Sequence, residues 1–193
     1  MKSLRSLFAC SLLFALLAFV STPAFAQAAD QEVGTPGGSA HPSLKALDTK
    51  NGFRQFRFGE DVSQYPALKA KSNKEMGGMR YYTHTSENLK VGGADLQSIA
   101  YAFYKDKLAA IFIQTEDVTN TLALRDVLCS QYTSGYRSNP YIEHYFWFGK
   151  RVTMSYEQHP TTGAGMVMLL CNELRKRQKN ADALAAKHAR ADL

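Results

Sequence analysis

Between residues 98 and 114 the chain reads SIAYAFYKDKLAAIFIQ, and this string restricts the fold more than any other part of the sequence. Ile99, Tyr101 and Phe103 alternate with Ala100, Ala102 and Tyr104, which is the two-residue period of a strand. Lys105-Asp106-Lys107 makes a tight charged turn, and residues 108–114 return as the apolar run LAAIFIQ. The pattern predicts a β-hairpin with a largely buried second strand. The C-terminal half repeats the plan. Residues 143–148 lead through a turn at Gly149-Lys150 into residues 151–157, where Val152, Met154 and Tyr156 alternate with Thr153, Ser155 and Glu157. A loop through His159-Pro160-Thr161-Thr162-Gly163 then reaches residues 165–171, apolar at every position after the glycine, as in a central strand.

Residues 80–87, rich in Tyr and Thr, read as a further strand, and Phe53, Phe56 and Phe58 form a short strand-like run that Gly59 ends. Two helices are expected. The first opens at Glu60-Asp61-Val62, with Val62, Tyr65 and Leu68 at helical spacing and Pro66 in its first turn. The second covers residues 120–132, capped by Thr119 or Asn120, with Leu124, Val127, Leu128 and Tyr132 on one face. Taken in order, these elements predict an α+β fold: one antiparallel sheet with two helices on one face. Glu116-Asp117-Val118 echoes Glu60-Asp61-Val62, which suggests a duplicated helix-strand-strand-strand unit.

The N-terminus carries the signature of export. Lys2 and Arg5 precede an apolar stretch over residues 7–20, and Ser21, Thr22 and Pro23 break it. Ala24-Phe25-Ala26 then supplies an A-x-A cleavage site, so residues 1–26 read as a secretory signal peptide. The apolar stretch is shorter than the roughly 20 residues that span a bilayer. Cys10 lies inside the stretch and not after the cleavage site, which argues against lipidation. Residues 27–43, mostly Gly, Pro, Ala and small polar side chains, are expected to be a flexible leader, followed by a single domain over residues 44–172. The tail, residues 173–193, is basic and helix-forming.

Cleavage would remove Lys2 and Arg5 from the 23 basic residues and leave 21 against 17 acids, a balance of +4. That is mild, and with export it sets nucleic-acid binding aside. No apolar run of membrane-spanning length follows residue 20. Cys129 and Cys171 survive processing, and an oxidising compartment allows them to pair; two separately buried thiols are the alternative. They form no C-x-x-C motif.

Motifs for catalysis are missing from the sequence: it contains no H-E-x-x-H, no G-x-S-x-G and no phosphate-binding glycine loop. His84, His144 and His159 are far apart and offer no metal-ligand spacing, so neither metal nor cofactor is expected. Ser86 and His84 could share a strand face, but Glu87 would point the other way, which makes a poor triad. Aromatic density is the remaining signal. If one face of the sheet is open, Tyr145 and Trp147, with Tyr81 or Tyr82 and Tyr101 or Tyr104, are candidates for a stacking surface that binds a glycan or a protein; the competing reading places them in the core and in cross-strand pairs.

The string Phe53-Arg54-x-Phe56-x-Phe58-Gly59, with residues 89–92 and Tyr101-Ala102-Phe103-Tyr104-Lys105-Asp106-Lys107-Leu108, resembles a loose group of small exported bacterial proteins of unknown function. The outline is also similar to the outer-membrane-assembly lipoprotein fold and to secreted β-lactamase-inhibitor proteins, although the lipid-bearing cysteine of the former is missing. The resemblance implies a binding module and brings no catalytic residues. The expectation is therefore a periplasmic or secreted module that binds another envelope protein or an envelope polymer. The rivals are a small hydrolase using Glu87, Glu143, Glu157 and the strand histidines, and a carrier with an apolar cavity.

Overall fold

A computed structural model describes residues 44–72 and 75–191. The chain divides into Met1–Ala40 and His41–Leu193, and the account below concerns the second unit. The expected signal peptide and leader lie outside the described residues.

The fold is α+β and its main sheet is antiparallel, with seven strands. Helix α1 (Lys45–Lys50) leads into a small hairpin, β1 (Gly52–Phe53) and β2 (Phe56–Arg57). Then follow β3 (Leu68–Ala70), β4 (Arg80–His84), a second small hairpin of β5 (Lys90–Val91) and β6 (Ala94–Asp95), and the long pair β7 (Ser98–Tyr104) and β8 (Lys107–Thr115). Helix α2 (Val118–Tyr132) separates these from β9 (His144–Phe148), β10 (Val152–Gln158) and β11 (Gly165–Cys171), and α3 (Asn172–Ala191) closes the chain. Across the sheet the strands run β3-β4-β7-β8-β11-β10-β9. Two meanders thus meet at β8 and β11, where Ile113 faces Val167 and Ile111 faces Leu169. The all-apolar run of residues 165–171 is a near-central strand because both its neighbours are strands.

The helix-covered face holds the core. Ile99, Tyr101 and Phe103 of β7, Ile111 and Ile113 of β8, Val167 and Leu169 of β11, Val152, Met154 and Tyr156 of β10, and Tyr145 and Trp147 of β9 are all buried on it. Helix α2 sits down on this layer through three small residues. Thr121 and Thr115 share a hydrogen bond of 2.6 Å, the backbone N–H of Gly165 donates to Thr115 Oγ1 at 3.1 Å, and the Tyr156 hydroxyl donates to the Thr121 carbonyl at 3.3 Å. The β5–β6 hairpin packs on the flank of α2, where Gly92 leaves room for Val127, and Phe56 of β2 stacks on Tyr101 with ring centroids 4.1 Å apart.

Several expectations change. The helix expected at Glu60 is only a 3-10 turn, Val62–Gln64, because Pro66 has no N–H to donate and biases Tyr65 to extended backbone; Leu68 begins β3 instead. The second helix starts two residues earlier than expected, and its cap is Asp117, which accepts from Asn120 N at 2.9 Å. The run from Phe53 to Phe58 folds back on itself as β1–β2, with Arg54 at φ 53 in the turn. Before that run stands α1, which sequence did not suggest and whose Leu47 is buried. Asp48 explains the position of α1: its carboxylate accepts from Lys150 N, Arg151 N and Val152 N at 2.8 to 3.1 Å and so ties the helix to the β9–β10 turn. Cys129 and Cys171 are free thiols, one half-buried on α2 and one buried at the end of β11, and the proposed disulfide is absent. Among the described residues no helix is long and apolar enough to cross a membrane.

Candidate binding face

Strand residues that sit directly opposite one another share a face, so the pairing register maps the side of the sheet turned away from α2. It carries three rows. The first runs Tyr81, Ala102, Ala110, Leu170, Thr153, Phe148; the second Ala100, Phe112, Met168, Ser155, Phe146; the third Ser98, Gln114, Met166, Glu157, His144. Tyr81, Phe112, Met168, Leu170, Phe146, Phe148 and His144 are half-buried, and Met166 is exposed. In the second row small Ala100 and Ser155 flank the larger Phe112 and Met168. Ala102 and Ala110 of the first row are fully buried and Ser155 nearly so, and Thr153 donates to Asn172 Oδ1 at the start of α3 at 2.8 Å, so the accessible part of this face is carried by its rings, by Met168 and Leu170, and by exposed Met166.

Aromatic rings line this face. Tyr81 packs on Phe112 with centroids 5.9 Å apart, and desolvation pushes its phenol pKa up. Along the edge strand β9, His144, Phe146 and Phe148 form a ladder: 4.2 Å separates the first two ring centroids and 5.9 Å the second two, with Phe146 and Phe148 nearly parallel. Alternation on β9 produces this arrangement, because HYFWF places one set of rings up and the other down. The corner at Tyr104 is closed. A Cβ at Gly78 would lie 3.9 Å from the Tyr104 ring and 4.0 Å from the Gln178 amide of α3, and that amide donates to the Gly77 carbonyl.

Of the aromatic residues singled out from sequence, Tyr81 lies on this face and the others are buried or on the opposite side. Tyr101, Tyr145 and Trp147 point into the helix-covered core, and Tyr104 is buried at the closed corner. Trp147 donates from Nε1 to the Thr133 carbonyl at 3.1 Å. The Tyr101 hydroxyl donates to Glu87 Oε2 at 2.7 Å, and burial followed by that carboxylate pushes its pKa up. Strand parity carries the error for Tyr101, Tyr145 and Trp147, since sequence identifies the two alternating sets but not which set meets the helices; Tyr104 shares the side of Ala102 and is buried there by the corner at Gly78 and Gln178. The rings on the open face are the other set, Phe112, Phe146 and Phe148, joined by Tyr81.

The acids and histidines proposed for a hydrolase are dispersed. Glu87 pairs with Arg54 and accepts from Tyr101. Glu143 bridges Arg125 at 3.1 Å and Arg137 at 3.0 Å, and also accepts from the Tyr145 hydroxyl. His84 lies on the helix-covered side opposite Leu68, where its Nδ1 accepts from Ser86 N at 3.2 Å. His159 shapes the β10–β11 turn by accepting from Thr161 N and Thr162 N. Only His144 and Glu157 face each other on the open side. No cluster of three or more His, Cys, Asp or Glu side chains able to hold a metal occurs among the described residues. No family model matches the chain, and no curated protein or solved structure does.

Proposed function

We propose that this chain is an exported module of the bacterial cell envelope that binds another envelope protein or an envelope polymer through the open face of its sheet. The observation that carries the reading is the three-row surface. Ala102 and Ala110 of the first row are buried, so the accessible part of the surface is carried by Phe112, Phe146, Phe148, Met168 and Leu170. Its middle is Phe112, Met168 and Leu170, rimmed by Ser98, Gln114 and Glu157. Contiguous exposed apolar side chains with a polar rim are a feature of interaction surfaces. Export is supported by the N-terminal sequence, with its basic start, apolar stretch and A-x-A site. The carrier reading has less support, since Tyr101, Trp147 and Tyr156 fill the space between helices and sheet.

Native mass spectrometry of the protein isolated from its own envelope fraction tests this reading. The wild-type chain is expected to retain a partner mass, and a Phe112→Thr/Phe146→Thr variant to lose it while keeping the fluorescence of buried Trp147. A folded variant that retained the same partner would overturn the assignment of the face, and a retained small molecule in place of a protein or polymer would move the chain to the carrier class.

A further inference from the structure

Five of the seven large apolar side chains left exposed among the described residues lie at one end of the main sheet. β7 and β11 begin at this end, β8 and β10 finish at it, and β9 starts there. Leu89, Val118, Tyr141 and Ile142 belong to segments that leave or enter the sheet at that end, and Met166 is in its last row. Tyr141 and Ile142 stand out, being 94% and 51% exposed at neighbouring positions of the loop before β9.

A loop so exposed would ordinarily be free to move, yet its backbone is held from inside. Arg137 Nη2 donates to the Pro140 carbonyl at 2.6 Å and to the Ile142 carbonyl at 2.9 Å, and pairs with Glu143 at 3.0 Å. Tyr141 N donates to Asn139 Oδ1 at 2.9 Å, and His144 N to the Ile142 carbonyl at 2.8 Å. The Arg137 guanidinium lies over the Tyr145 ring, 4.8 Å from its centroid, and the other Glu143 oxygen accepts from Arg125 of α2 at 3.1 Å. The loop is thus fastened to both α2 and β9. None of these bonds uses the side chain of Tyr141 or Ile142.

We infer that Tyr141 and Ile142 are a preorganised anchor that enters an apolar cleft of a partner protein. Tyrosine is enriched among the side chains that dominate protein interfaces, since it buries a large rigid area and still offers a hydroxyl for a polar contact at the bottom of a pocket. A loop ordered before binding avoids the entropy of ordering it afterwards. Residues 138–142 carry no charge, and Arg125 and Arg137 are already paired with Asp126 and Glu143, so the tip lacks the cationic ring that would hold it on an anionic bilayer. The anchor deepens the binding-module reading and rests on it, but uses a different surface from the three-row face.

The test places a benzophenone amino acid at exposed Ser138 of the full chain and irradiates it with the solubilised envelope fraction of its own cells. One protein adduct is expected. Unlabelled wild-type chain should suppress it, and a Tyr141→Ala/Ile142→Ala competitor should need at least tenfold more protein for the same suppression. Both replaced side chains are exposed, so this variant should keep the wild-type thermal midpoint and Trp147 fluorescence. Equal competition by the folded variant, or no adduct that wild-type chain suppresses, would overturn the anchor. So would co-sedimentation with vesicles of phosphatidylglycerol and phosphatidylethanolamine that the wild-type chain shows and the variant loses, since the tip would then be a lipid contact. A competitor with Phe112→Thr/Phe146→Thr keeps the loop intact, so failure of the open face and failure of the anchor are read separately.

Discussion

Gly165 shows how little space the helix leaves above the sheet. It opens β11 beneath α2, where a Cβ would lie 2.7 Å from Thr115 Oγ1 and closer still to the Thr121 methyl. Its N–H donates to Thr115, so shifting the strand to make room would also strain the Thr115–Thr121 pair. Gly165→Ala should therefore destabilise the fold by about 1–3 kcal/mol, the usual cost of overpacking, measured as a lower urea midpoint with an unchanged slope. His144 makes a prediction of a different kind. Desolvation on the open face lowers its pKa from 6.5, and Glu157 across the strand opposes the shift without cancelling it. The unfolded chain therefore binds this proton more readily than the folded one. Stability from this group is complete above the unfolded value and is lost as pH falls through about 6.5 toward the folded value. Urea midpoints of the wild-type chain should fall between about pH 7.5 and about pH 5.5. A His144→Gln variant should fall less over the same interval, and parallel curves would show that other groups set the dependence.

At the scale of elements, the hairpin that dominates the sequence also carries backbone strain. Lys105 and Asp106, the two residues of the β7–β8 turn, both have positive φ, 48° and 60°. This conformation matches the twist of the strands it joins, and glycine or asparagine adopts it most easily. Asp106 is retained for other reasons: it pairs with Arg80 at 2.9 Å and its carbonyl accepts from Val62 N at 2.9 Å. Lys105 only lays its ammonium near the Tyr104 ring, 5.5 Å from the centroid. Lys105→Gly should relieve about 1 kcal/mol of left-handed strain and lose about 0.5 kcal/mol of cation–π attraction, for a net gain of about 0.5 kcal/mol in urea unfolding. Elements with many repeats of one period were legible from sequence: β7, β8, β10, β11 and α2 all lie within a few residues of their expected places. Helix α1 was hidden because its six residues bury one apolar side chain, Leu47, and its anchor, Asp48, acts on a turn about a hundred positions away. The first expected helix failed at Pro66, where apolar spacing agreed with a helix and the backbone chemistry did not. For the candidate face, sequence supplied the aromatic content and the alternation. It could not supply the parity, which depends on where α2 and the β1–β2 hairpin come down.

For the molecule as a whole, the meeting of the two meanders decides how the fold comes apart. β8 and β11 are central, and each is the last strand of its own half, so neither half has a complete sheet without the other. α2 reinforces the junction from above: Thr121 touches Thr115 at the end of β8, and its carbonyl receives the Tyr156 hydroxyl of β10. Phe56 and Tyr101 extend the same layer into the N-terminal half. Separation of the halves would uncover Ile111, Ile113, Val167 and Leu169 together, so a half-folded state would expose the most apolar part of the core. The expectation is a single cooperative transition. The chain has one tryptophan, Trp147 in β9, so its fluorescence reports the C-terminal half alone, while amide exchange in β4 and β7 reports the other. In urea the two should give the same unfolding free energy, and Leu169→Ala, which opens a cavity at the junction, should lower both by about 2–4 kcal/mol. A β4–β7 free energy that stayed at the wild-type value while Trp147 became destabilised would mean that the N-terminal meander stands alone, and that the halves are separate folding units that share an edge.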